Sequence, residues 1–350
     1  MKSSNLRVIF ASAAILFGAV AVSWAAAGSG YHLLHTYKFG AALGSKTEYF
    51  DYVTVDSAAR RVYLGRGTAV EVMNADTGES LGLIAGFQRQ HGVAVAPEFN
   101  RGFITDGGAG TITIFDLKTL KKTGEVKAQP DADCMLYDPA SKDAFSMNGD
   151  SNSSTTMSAK TGEFIKNIPL GGAPEFAVSD GAGHVYVNLA DKDQIAMIDT
   201  KTLAVTSRWP TAPEGHPTAL AIDAEHHRLF SAGRNPQVLA IINTENGKVI
   251  RTFPIAAGTD AARFDAETKL IFVSTIAGEI DVFHEDSPDK YTALDPIKSE
   301  YGAKTMGLDT KTHEIFADTA DFSAATQPAT GRGGRRMAQL GTFHVLVFGK

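Results

Sequence analysis

The chain has 350 residues, of which 43% are hydrophobic and 21% charged, the proportions of a globular protein rather than of a disordered or collagen-like chain. Its 33 basic and 39 acidic side chains give a net charge of −6, which opposes a broad nucleic-acid-binding surface. A single cysteine, Cys134, excludes an intrachain disulfide, a cysteine-rich zinc site and haem attachment through paired cysteines. Its expected role is that of a small buried hydrophobe.

Lys2 and Arg7 precede an uncharged, mostly apolar run from Val8 to Val22, and Ser23, Ala25, Ala26 and Ala27 follow it. A short positive region, an apolar stretch and small residues at a cleavage position describe a secretory signal peptide over residues 1–27. The apolar run is shorter than the roughly 20 residues that a membrane anchor needs. Removing Lys2 and Arg7 leaves 31 basic against 39 acidic side chains, a mature net charge of −8. The expectation is an exported protein, periplasmic or secreted, with no membrane span after cleavage and one domain over 28–350.

From there the sequence repeats itself. Val53–Asp56, a polar turn and Arg61–Leu64 form two short strands. The same shape returns at Val93–Ala96, Met135–Asp138, Ala177–Ser179, Leu220–Asp223, Ala262–Asp265 and Met306–Asp309. The residues ending these first strands are 56, 96, 138, 179, 223, 265 and 309, spaced by 40, 42, 41, 44, 42 and 44. Seven positions after each stands an aromatic: Tyr63, Phe103, Phe145, Tyr186, Phe230, Phe272 and Phe316. Five of the seven strand-end residues are Asp, whose carboxylate accepts backbone N–H groups in tight turns.

Third strands follow, such as Ala69–Met73, Thr111–Phe115, Gln194–Ile198 and Val238–Ile242, then Gly-containing turns and fourth strands such as Leu81–Ile84, Glu163–Ile168 and Lys248–Phe253. Four short strands in each repeat of this length predict the blades of a β-propeller, an all-β fold with seven four-stranded blades. The last repeat stops at its third strand, Phe343–Phe348, while a spare strand, His32–Phe39, precedes the first. The N-terminal strand is therefore expected to close the seventh blade.

The segments His91–Pro97, Phe103–Thr105 and Ile112–Asp116, echoed at Pro174-Glu175-Phe176, His216-Pro217-Thr218 and Asp260–Asp265, resemble the YncE-like, YVTN-repeat family of bacterial seven-bladed propellers. The resemblance covers nearly the whole mature chain and implies the fold. It implies less about activity, because the family is defined by its repeat and spans binding proteins and lactonase relatives. The third repeat departs most, with a polar third strand at Ser153–Ser158.

In such a ring, the positions about five before each strand end gather at one channel mouth. They are Asp51, His91, Asp133, Glu175, His216, Asp260 and Lys304, with Glu175 and His216 taken beside Pro174 and Thr218. Carboxylates and imidazoles converging on a funnel suit a polar ligand or a divalent cation: calcium if oxygens dominate, zinc or manganese if His91 and His216 take part. Arg66 and Arg234 occupy second-to-third-strand connections expected on the same face, as do Arg332, Arg335 and Arg336 in the long connection from Asp321 to Leu340. These arginines suit a carboxylate or phosphate.

No GxSxG, HExxH or P-loop is present. Gly65-Arg66-Gly67 lacks the third glycine of a dinucleotide fingerprint, and His226-His227 reads as a solvated pair in an exposed turn. The residues favour a non-catalytic propeller binding a small ligand or protein partner on its funnel face. The alternative is a metal-assisted hydrolase of lactonase type using Asp51, Asp133, Glu175, Asp260 and the two histidines. A polyanion binder using Arg332–Arg336 is opposed by the mature charge.

Overall fold

The computed structural model describes residues 28–324 and 336–350, so residues 1–27, expected to be a signal peptide, and Arg332 and Arg335 lie outside the described residues. Every regular element among them is a strand except one 3-10 turn at Pro97–Phe99. The strands form six antiparallel sheets. Four have four strands, one has five, and one has seven, running from Val53–Asp56 to Lys122–Lys127.

The seven-stranded sheet arises because the predicted break after Leu81–Ile84 is not there. Ser80–Ala96 is one continuous strand, with Gln90 facing Gly67 on one side and Asp106 on the other. No proline interrupts it, so the strand passes from one repeat to the next, with a register shift on each side of the Gln90 bridge. The innermost strands pack in a closed cycle: Val53–Asp56, the end of Ser80–Ala96, Ala132–Asp138, Pro174–Ser179, Pro217–Asp223, Thr259–Asp265, Thr305–Leu308 and back.

The strand His32–Lys38 pairs with His344–Gly349, running from His32 opposite Gly349 to Lys38 opposite His344. It is thus the outer strand of a sheet whose other members come from the C-terminal end of the chain.

Apolar clusters fill the space between neighbouring sheets rather than the ring axis. One joins Tyr31, Phe272, Met306, Leu346 and Phe348, and another joins Phe145, Met147, Val187 and Ile198. All seven spaced aromatics are buried in these layers. Cys134 is buried and free, and burial pushes its thiol up to about 12, which leaves it protonated and inert. Buried polar side chains tie the inner strands together. Thr54 donates to Val93 O at 2.7 Å, and Asn188 donates to Ala219 O at 2.9 Å, each in the following repeat.

The polar strand Ser153–Ser158 is almost wholly buried; Ser153 and Thr155 are bonded within its own sheet, while the Ser154 and Thr156 hydroxyls have no partner. Asn148 donates to Ser153 and Thr155, and Thr155 donates to Asn167 at 2.9 Å. Turns follow local chemistry. At Asp76-Thr77-Gly78, the Gly78 N–H reaches Asn74 O at 2.9 Å with φ +73°, and a Cβ there would meet the Tyr37 ring at 2.1 Å.

Candidate functional site

One mouth of the ring is a polar cavity of about 240 Å³. It is lined by Asp51, His91, Asp133, Glu175, Asp260 and Lys304 from six different repeats, and by Arg234 from a second-to-third-strand connection. Below it, side chains from non-adjacent repeats meet across the axis. The Tyr52 ring lies 5.5 Å from Phe176, the Arg263 guanidinium lies 5.1 Å over Phe176, and Arg263 Nη2 donates to Val53 O at 3.3 Å. These residues fill the channel and give the mouth a floor.

Two charged groupings share the mouth. In the first, His91 Nδ1 lies 2.7 Å from Asp51 Oδ2 and 3.2 Å from Asp133 Oδ1. The Tyr49 hydroxyl donates to Asp51 Oδ2 at 2.9 Å and lies 3.0 Å from the same imidazole nitrogen. The far side of the ring rests against Gly107, where a Cβ would lie 3.0 Å from Nε2, so a larger residue would press on the imidazole. In the second, Asp260 is held between Arg234 and Lys304, and Lys304 Nζ also lies 3.7 Å from Asp51 Oδ1.

Burial opposes charge here, and neighbours decide the outcome. Burial raises Asp51, but Lys304 and the His91 hydrogen bond outweigh it and hold the carboxyl at about 2. Burial lowers His91, and its hydrogen bond to Asp51 together with the nearby Asp133 and Asp51 charges reverses that, leaving it above the usual imidazole value. Asp133 is pushed well up by burial, and the nearby Asp51 and Glu175 carboxylates add to the push. Glu175 is raised to about 7, again by burial first, which the Arg234 and Lys304 charges do not overcome.

Exposure separates the signs. Arg89 and Arg234 are 55% and 36% exposed, while their partners Asp131 and Asp260 are 21% and 12% exposed. The cations stand at the rim and the carboxylates lie behind them.

Three expected residues are elsewhere. Arg66 is not at the mouth but buried: its Nη2 donates to Glu48 at 2.7 Å and to Gly40 O at 2.8 Å, and its guanidinium lies 3.8 Å over the Phe343 ring. The segment before the first inner strand folds over Arg66 and supplies the carboxylate that neutralises it. His216 is exposed and does not line the cavity, where Thr218 stands instead. Its backbone is tied on both sides, the N–H to Asp193 at 2.7 Å and the C=O by Arg234 N–H at 3.1 Å, which leaves the ring to solvent. Arg336 packs 4.5 Å over Tyr301 at the base of the long connection, in a separate cavity that Lys304 also borders.

Sequence reasoning missed Tyr49, Arg89 and Asp131, which also line the mouth. Each lies two residues before Asp51, His91 or Asp133. In extended chain, residues two apart point the same way, so that spacing was the available signal.

Glu175 gives this site a pH signature. Because its folded pKa is raised, its stabilising contribution is complete below the unfolded value near 4.5 and is lost as pH rises through about 7. Glu175→Gln should therefore flatten the fall in stability across that window, by up to about 3 kcal/mol in chemical denaturation. Parallel pH profiles for the two proteins would show that Glu175 does not titrate there.

No protein-family model and no curated protein sequence matches the chain. Solved structures do. Hydrazine synthase of Kuenenia stuttgartiensis aligns with a TM-score of 0.67 at 12% identity, over 79% of this chain and 96% of that one. U3-55K aligns at 0.70 and 8% identity, over 92% and 99%. The WD40 repeats of RRP9 align at 0.71 and 9% identity, over 93% and 99%. Identities this low carry the fold alone, and the fold is a β-propeller.

Proposed function

We propose that the protein is an exported, non-catalytic, seven-bladed propeller of the YncE-like type, which binds a small organic anion at its polar mouth. Seven repeats, a closed cycle of seven inner strands and the division of the seven-stranded sheet at Ser80–Ala96 support the blade count. Lys2, Arg7 and the apolar run to Val22 support export to the periplasm or medium.

The observation that carries the binding reading is the layering of charge. Arg89, Arg234 and Lys304 form the accessible rim, and each is oriented by a carboxylate behind it. Fixed guanidinium groups meet a ligand carboxylate or phosphate without first being ordered. The deeper Asp133 and Glu175, raised by burial, meet its hydroxyl or ammonium groups. A small hydroxy acid or amino acid has both features.

Titration calorimetry with citrate, lactate, aspartate and inorganic phosphate tests this. At least one should bind saturably, and Arg234→Ala should weaken it about tenfold or more, the worth of one charge-assisted hydrogen bond, with little change in Tm. Absence of saturable binding by all of these probes would overturn it.

One observation favours a second reading, a metal-assisted hydrolase of lactonase type. Asp51, His91 and Asp133 each offer a ligand atom, all within 4.8 Å of one another. That donor set would hold zinc or manganese, which would polarise a carbonyl or activate water. Saturable binding of either ion by chelator-treated protein, lost in Asp133→Asn, together with lactone hydrolysis, would favour it.

A further inference from the structure

We infer that Asp223, His226 and Glu285 form a second divalent-cation site, at the end of the inner strands opposite the mouth, where it bridges two adjacent repeats. Asp223 ends one inner strand, His226 stands in the turn after it, and Glu285 comes from the third strand of the next repeat. Their ligand atoms lie within 4.8 Å of one another. His226 Nδ1 is 2.5 Å from Asp223 Oδ2 and 3.9 Å from Glu285 Oε2. The pair His226-His227 therefore does not read as two solvated rings, since His226 faces two carboxylates.

A comparison around the ring shows what is unusual here. In three other repeats the strand-end Asp meets a donor from a neighbouring repeat, while Asp56 bonds only within its own turn. Arg60 pairs with Asp309, His313 Nδ1 lies 2.7 Å from Asp265, and Ser179 donates to Asp138 at 2.5 Å. At Asp223 the neighbouring repeat presents a carboxylate instead.

Both acids are buried, and the Glu285 side chain is 0% exposed. Glu285 Oε1 accepts from the Tyr291 hydroxyl at 3.1 Å, but Oε2, which faces the cluster, has no hydrogen-bond partner. The basic side chains of these turns are engaged elsewhere, Arg228 with Asp289, Lys269 with Glu225 and Lys290 with Asp286.

A buried carboxylate oxygen aimed at a second carboxylate needs either a shared proton or a cation between them. His226 supplies one nitrogen to the pair. One imidazole and two carboxylates make the donor set of zinc or manganese rather than of calcium, which takes six to eight oxygens. Tyr291 orients Glu285 from behind, as second-shell partners of metal ligands do. His226 is 30% exposed, which gives an ion a way in. An ion here would add a link between two repeats that Arg228–Asp289 and Lys269–Glu225 already bridge.

The full mature chain, chelator-treated and carrying Asp133→Asn to disable the mouth cluster, separates this site from the one proposed above. Zinc or manganese, added singly at about 100 times its Kd, should raise Tm by about 4 °C. Calorimetry should give one ion per chain. His226→Ala in the same background should cut affinity at least about tenfold, and because that ring is partly exposed the variant should still fold. Glu285→Gln should do the same. Neither zinc nor manganese raising Tm, or a response unchanged in His226→Ala, would overturn the inference. Loss of the response on introducing Asp133→Asn would instead assign all ion binding to the mouth and overturn it too.

Discussion

Starting the chain at residue 41 instead of 28 should lower Tm by about 10 °C or more and make the protein aggregate on heating. His32–Lys38 completes the sheet edge at His344–Gly349, and without it the backbone N–H and C=O groups of that edge lose their partners. Tyr31 goes with it. Its ring packs 5.1 Å from Phe272, and its hydroxyl donates to His313 O at 2.8 Å, so one deletion opens both a cavity and an edge. Val345, Leu346, Val347 and Phe348, all buried, would lie along the uncovered edge. A synthetic peptide spanning 28–40 should restore part of the Tm by adding the strand back in trans. A fall of less than about 2 °C by differential scanning calorimetry would mean that the ring holds without this strand.

Arg66→Ala should cost about 3–5 kcal/mol, because it leaves Glu48 buried without its partner. Glu48 also accepts Gly341 N–H at 2.7 Å, so the loss reaches the last connection of the chain. The guanidinium over Phe343 makes lost packing part of the cost. Replacing both partners, with Arg66→Met and Glu48→Gln, should recover much of the stability, since the price of a buried pair is largely desolvation. Arg234→Ala is the control: its partly exposed ion pair should be worth no more than about 1 kcal/mol. Equal losses for Arg66→Ala and Arg234→Ala in urea unfolding would show that Arg66 is not the buried member of the two.

The strand pattern was legible because it is local. Alternating apolar residues, a turn Asp and an aromatic seven positions later recur with spacings of 40 to 44, and each of those aromatics is buried. The spare segment at His32 was legible by subtraction, and it pairs with the last strand of the chain. Asp51, His91, Asp133, Glu175, Asp260 and Lys304 were legible as a group, because equal positions in repeats stacked around an axis must point to one place.

What the sequence alone determined about this protein is the repeat: its strands, turns and the aromatic layer between sheets, all set by φ/ψ preference and hydrophobic period over a few residues. Tertiary structure decided how the charges pair. Gly65-Arg66-Gly67 reads as an exposed hairpin until Glu48 and Phe343 fold over it. The mouth reads as unpaired acids, imidazoles and cations until Arg89 is found at its rim and Asp260 between Arg234 and Lys304. His226 reads as solvated until Glu285 of the next repeat arrives beside Asp223. Charge pairing depends on distances of a few ångströms between distant parts of the chain and on the water excluded there, and no periodicity in a sequence carries either quantity.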